Sequence, residues 1–185
     1  MQILFIRHGE PDYSHVTERG FIGHGQDMAQ LTENGKKQAL SVAMDKRLAD
    51  VELILSSPYT RALQTAAIIS RYRNIEINVE TDLHEWLPDL SHAYASIESK
   101  GELFKLFVKN KGTCTKDSPV RYEEYQHIFD RVNACLQQYL SYKKIAVVTH
   151  GLVISAFCYS QVGTPWGGIV EFEFTSSIKW RGWEE

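Results

Sequence analysis

The 185-residue chain has only three cysteines, Cys114, Cys135 and Cys158, an odd number at wide and unpatterned spacing. Neither a disulfide framework nor a zinc-ligand motif can be assembled from them, so they are read as reduced thiols of a cytoplasmic protein. Nor is there an excess of basic charge. Twenty Lys and Arg face 23 Asp and Glu, for a net charge of −3, which argues against nucleic acid as a partner. No apolar run approaches the length of about 20 residues that a membrane-spanning helix needs. The first residues lack the basic and apolar regions of a signal peptide. Internal repeats, low-complexity tracts and Pro/Gly/Ser linkers are missing too, so one domain over residues 1–185 is expected.

What the chain does have is alternation. "QILFI" (2–6) reads as a buried strand, and "VELILSS" (51–57) as a second, stopped by Pro58. "IEINVET" (75–81) alternates apolar and polar residues, and "KIAVVTH" (144–150) is nearly continuous apolar. Helical segments are expected over 31–50, 59–73, part of 92–110, 122–143 and 151–160. Thr32 is a good N-cap for the first of them, and Leu40, Ala43, Met44 and Leu48 form its apolar stripe. In 122–143 the stripe is Tyr125, Ile128, Phe129, Val132, Leu136 and Leu140. Residues 169–175 and 178–183 read as a closing hairpin. This order predicts an α/β three-layer sandwich, a mainly parallel central sheet with helices on both faces.

In such sheets ligands bind at the carboxyl ends of the strands. Three strand ends carry polar residues here: Arg7, His8 and Gly9 after the first, Ser56 and Ser57 with Arg61 after the second, and His150 and Gly151 after "KIAVVT". Two arginines and two histidines would therefore meet at one sheet edge.

Five ordered motifs carry a resemblance: "RHGEP" (7–11), "DMAQLTENGKKQA" (27–39), "SSPYTRALQTA" (56–66), "LHE" (83–85) and "THG" (149–151). Together they resemble the histidine phosphatase superfamily, also called the phosphoglycerate mutase-like family. The resemblance implies that His8 is a nucleophile and Glu85 the proton donor and base. It makes Arg7, Arg61 and His150 the charged walls of a phosphate pocket, with His150 as an imidazolium and Gly9 letting the backbone approach the phosphate. A neutral imidazole suits attack on a dianionic phosphomonoester, and guanidinium forks match phosphoryl oxygens.

The sequence departs from the family's pattern at Pro11 and Ser14. The latter stands where the family usually has a phosphate-binding Asn, and is the candidate replacement. Glu80, Asp82 and Asp89 lie close enough in sequence to compete with Glu85 for the acid's role. His15, His24 and His92 read as loop residues. Residues 86–122 are expected to form a helical lid, with Trp86, Tyr94 and Arg121 as substrate contacts.

The function implied is hydrolysis of small-molecule phosphate monoesters through phosphohistidine, needing no metal and no cofactor. A short segment after the acid disfavours the alternative, a phosphoglycerate mutase-type phosphotransferase. A non-catalytic phosphate-binding module is a third reading.

Overall fold

The computed structural model describes residues 1–93, 97–158 and 163–183. The chain opens with strand β1 (Gln2–Arg7), followed by the two-residue strand β2 (Pro11–Asp12), helix α1 (Ser14–Glu18) and β3 (Gln30–Leu31), which pairs with β2. Helix α2 (Glu33–Met44), strand β4 (Leu53–Ser56), helix α3 (Thr60–Arg73) and strand β5 (Ile77–Val79) come next. Helices α4 (Ile97–Lys109) and α5 (Tyr125–Gln137), strand β6 (Lys144–Thr149), helix α6 (Gly151–Cys158) and strand β7 (Ile169–Glu173) complete the order.

The main sheet has the order β5-β4-β6-β1-β7, parallel except for β7, which runs antiparallel to β1 at the edge. Because successive side chains of a strand point to opposite faces, β1 serves two cores. Ile3 and Phe5 join Val132, Leu136 and Phe157 from α5 and α6 on one face. Leu4 and Ile6 join Val42, Ala43, Ala66 and Ile69 from α2 and α3 on the other. The expected three-layer α/β architecture is the one observed.

Local signals explain some of the boundaries. The Thr32 side chain accepts a hydrogen bond from the Gly35 amide at 2.8 Å, capping α2 as expected. Asn74 ends α3 in the left-handed region, at φ 56°, which Asn tolerates better than most residues.

Three readings need correction. Helix α2 stops at Met44, because the Asp45 carboxylate accepts from the Arg47 amide and starts a separate turn over Lys46–Leu48. Its buried face is consequently Gly35, Ala39, Val42 and Ala43, while Leu40 and Met44 lie exposed. Helix α5 likewise ends before Leu140, which is exposed. Residues 178–183 do not pair as a strand. Trp180 and Trp183 pack instead on the Tyr125 ring, at centroid distances of 5.0 and 5.2 Å, so aromatic burial replaces sheet pairing there.

Candidate active site

The parallel register places Arg7 opposite Thr149, so the residues that follow each strand, His8 and His150, emerge side by side with ring centroids 5.1 Å apart. On the other side of β6, the Ser57 amide donates to the Val148 carbonyl, which brings the start of α3 and Arg61 to the same edge. The strand ends thus converge as their pattern predicted.

Hydrogen bonding fixes the proton positions on both rings. The Gly9 carbonyl, 2.7 Å from His8 Nδ1, can only accept, so Nδ1 carries the proton. Arg61 Nε can only donate, and it points at His8 Nε2 from 3.2 Å, so that nitrogen presents its lone pair. Burial, reinforced by the positive field of Arg61, holds His8 well below the ordinary histidine pKa and keeps it neutral.

His150 is the opposite tautomer. Its Nδ1 faces an Arg61 amino group at 3.4 Å and must accept, so Nε2–H donates to Ser57 Oγ at 2.7 Å. The expected imidazolium is therefore a neutral imidazole in this structure. Complete burial, together with Arg61 and His8, pushes its pKa well down.

Arg61 is almost wholly buried and spans the site. Besides the two histidines it meets the Asp27 carboxylate at 3.3 Å and lies over the Tyr59 ring at 5.2 Å. Burial alone would lower its pKa, but Tyr13, Asp27 and Glu85 outweigh that and hold it above the ordinary value. Asp27 also faces Lys100 of α4 at 3.7 Å. Arg7 donates to the Thr164 carbonyl at 2.6 Å, while its buried Nε has no acceptor among the described residues. A buried donor left without a partner is costly, so this nitrogen is suited to an incoming anion's oxygen.

Glu85 projects from the loop after the turn Thr81–Leu83, with its carboxylate accepting from the Trp86 amide at 3.0 Å. Of the four candidate acids it is the one that lines the cavity. Glu80 accepts from the Tyr139 hydroxyl, Asp89 is turned to Ser91, and Asp82 is exposed. A partly buried ion pair clamps the Glu85 loop from outside. Arg131 binds both oxygens of Glu123, at 2.7 and 3.1 Å, and also donates to the Asp82 carbonyl. Glu123 in turn accepts from the Leu87 amide, and its carbonyl accepts the Trp86 indole N–H.

Two expected contacts fall elsewhere. The Ser14 amide and hydroxyl both donate to Asp12 Oδ1, at 2.9 and 2.6 Å, and Ser14 is exposed and absent from the cavity wall. A local turn with the nearest carboxylate has captured the hydroxyl. Arg121 is exposed and also stands off the wall, its carbonyl accepting from the Leu90 amide. Trp86 does line the cavity, whereas Tyr94 lies outside the described residues.

Backbone packing requires Gly9 to be small. A Cβ there would sit 2.4 Å from the Gly35 carbonyl oxygen, and one on Gly35 would sit 2.3 Å from the Glu10 carbonyl oxygen. The two glycines let β1's exit and the start of α2 touch backbone to backbone.

Above these residues lies a cavity of about 660 Å³, with Arg7, His8, Arg61 and Glu85 in its lining and Lys100 contributed by α4.

A family model described as histidine phosphatase superfamily (branch 1) matches residues 3–179. The chain belongs to this superfamily. Its fold is similar to that of a mycobacterial glucosyl-3-phosphoglycerate phosphatase, with TM-score 0.72 at 19% identity, covering 98% of this chain and 96% of the other. In sequence it is 27% identical over 171 residues to wheat (Triticum aestivum) 2-carboxy-D-arabinitol-1-phosphatase, a match spanning 88% of this chain but only 32% of the wheat protein. It is also 27% identical over 169 residues to the Escherichia coli protein named "Probable phosphoglycerate mutase GpmB", covering 89% of this chain and 76% of the relative. Phosphatases and mutase-like proteins thus both stand among the relatives.

Sequence reading missed Asp27, Lys100 and the Glu123–Arg131 clamp. Asp27 stood inside a recognised motif without a role. Nothing in the local sequence marks the other three, since each acts across a long separation in the chain.

Proposed function

We propose that the chain is a phosphomonoester hydrolase that works through a phosphohistidine on His8. The observation that carries this reading is the proton placement on His8, a buried neutral ring whose unprotonated Nε2 accepts from Arg61 Nε, a donor that an incoming phosphate oxygen can take over. In the first step Nε2 attacks phosphorus, the P–O bond to the alcohol breaks, and that bond's electron pair leaves with the oxygen. Protonated Glu85 gives its proton to the departing alkoxide. In the second step Glu85, now a carboxylate, takes a proton from water as the water oxygen attacks phosphorus. The P–N bond breaks, its electrons return to Nε2, and inorganic phosphate is released. One carboxyl serves in both directions.

Arg7 and Arg61 supply fixed positive charge to the equatorial oxygens, and such electrostatic stabilisation is where most of the catalysis of a phosphoryl transfer lies. His150 acts as a neutral positioning group, its Nδ1 accepting from the Arg61 amino group and its Nε2–H anchored on Ser57 Oγ, so that Arg61 is held at the phosphate position. These side chains can stabilise the transferring group by themselves, so turnover in EDTA is expected.

Hydrolysis is favoured over mutase chemistry by the charge inventory of the cavity. The lining holds Arg7, Arg61 and Lys100 against Glu85, and Asp27 pairs with both Arg61 and Lys100. That is enough for one phosphate and leaves, among the described residues, no second arginine pair for a bisphosphate.

The test is turnover of p-nitrophenyl phosphate in EDTA, with a rapid quench after a radiolabelled phosphodonor. Acid-labile, base-stable label lost in His8→Ala, together with loss of turnover, supports the proposal. Full turnover by His8→Ala would overturn it. Rapid exchange of 2- and 3-phosphoglycerate with little release of phosphate would reassign the chain to mutase chemistry.

A further inference from the structure

The cavity above the charged base is far larger than a phosphoryl group needs. At about 660 Å³ it falls within the range of roughly 300–1,000 Å³ typical of sites that enclose a whole small molecule. Its wall above His8 is aromatic and aliphatic, contributed by four separate parts of the chain. Trp86 comes from the Glu85 loop, Phe104 and Val108 from α4, Tyr125 from the start of α5, and Trp183 from the C-terminal segment. Trp166 stands over Arg7, 5.7 Å from the guanidinium carbon to the ring centroid.

The exposure of these side chains points to an occupant. Phe104, Val108 and Trp166 are 40%, 43% and 42% exposed, although all three face one concavity. Scattered exposed apolar residues are ordinary, but a group lining one pocket marks a binding surface. Among the described residues Lys100 is the only further cation in the lining, and Asp27 faces it. The residues outside the described set include no Lys or Arg that could add another.

We infer that the alcohol part of the substrate is bulky, uncharged and apolar, with an aromatic ring that packs against Phe104, Trp166 and Trp183, and that the site discriminates against esters bearing a second anionic group. This rests on the phosphatase reading for the position of the phosphate. The phosphate sits on Arg7 and Arg61, and the ester oxygen directs the organic group outward past Glu85 into the apolar wall.

The test compares alkyl phosphates whose alcohols have nearly equal acidity, so that leaving-group chemistry does not decide the result. Propyl, 3-phenylpropyl and 3-(2-naphthyl)propyl phosphate are assayed beside glycerol 3-phosphate and 3-phosphoglycerate. Burial of the ring should raise kcat/KM about 10- to 100-fold from propyl to naphthylpropyl phosphate. Among the five, 3-phosphoglycerate should be the poorest. In Trp183→Ala the ratio of naphthylpropyl to propyl should collapse towards one.

Calorimetric binding of the matching phosphonates, which cannot be hydrolysed, reads the same preference without catalysis or a variant. If glycerol 3-phosphate or 3-phosphoglycerate is the best substrate, or the phosphonates bind equally, the inference is overturned. If no ester is hydrolysed but the naphthylpropyl phosphonate still binds more tightly than the propyl one, the phosphatase reading has failed and the apolar site stands.

Discussion

Acidifying the solution from pH 7.5 to 5.5 should weaken the fold through two histidines in particular. In the native state His8 and His150 are both neutral, held well below the ordinary histidine value first by burial and then by Arg61. In the unfolded chain each titrates near 6.5. Below that pH the unfolded state binds more protons than the native one, so stability falls as the pH falls, until the native rings themselves titrate. Each ring that stays neutral throughout contributes a loss of about 1.4 kcal/mol over this interval, so the pair contributes at most about 2.7 kcal/mol. That is a sizeable fraction of a typical domain's stability of about 5–15 kcal/mol.

Urea unfolding at the two pH values measures the loss, and His8→Asn, His150→Gln and the double variant apportion it. Each single variant should reduce the pH-dependent loss by up to half of the pair's share, leaving the part due to carboxylates and other histidines. Long-range proton–nitrogen correlation spectra should show the Nδ1–H form for His8 and the Nε2–H form for His150. The reasoning is refuted if the double variant has the same pH dependence as the wild type, or if both rings titrate near 6.5 in the folded protein.

Other outcomes follow from the same geometry. Gly9→Ala places a methyl 2.4 Å from the Gly35 carbonyl oxygen, and chemical denaturation should show a loss of about 1–3 kcal/mol. Glu85→Gln should reduce kcat on alkyl phosphates by about 10²- to 10⁴-fold; with p-nitrophenyl phosphate, whose phenolate leaves without a proton, a first burst of phenolate should persist while steady-state turnover, which still needs the base for the attacking water, falls. Arg131→Met removes the partner of the buried Glu123 and should cost about 1–3 kcal/mol in urea, part of it recovered by also making Glu123→Gln. Because Arg131 also holds the Asp82 carbonyl, that variant should lower kcat on alkyl esters more than it raises KM, as the Glu85 loop loosens.

How much of this was legible beforehand depends on the range of the interaction. Strand and helix order, the Thr32 cap and the gathering of Arg7, His8, Arg61 and His150 at one edge follow from local periodicity and from the direction of parallel strands. The misread segments are those where a tertiary contact replaced a local preference. Trp180 and Trp183 had the pattern of a strand but pack on the aromatic ring of Tyr125, and Ser14 satisfies its hydroxyl on Asp12.

The sequence by itself determined the fold class and the chemical groups of the site, because hydrophobic periodicity and motif order are encoded between near neighbours. Only the tertiary structure decided how those groups are poised. Proton placement on His8 and His150 depends on an arginine 53 and 89 residues away along the chain. The apolar wall is assembled from four distant segments, and Gly9 is required by a glycine on another element. Those are properties of burial and of contact across space, which no local stretch of sequence contains.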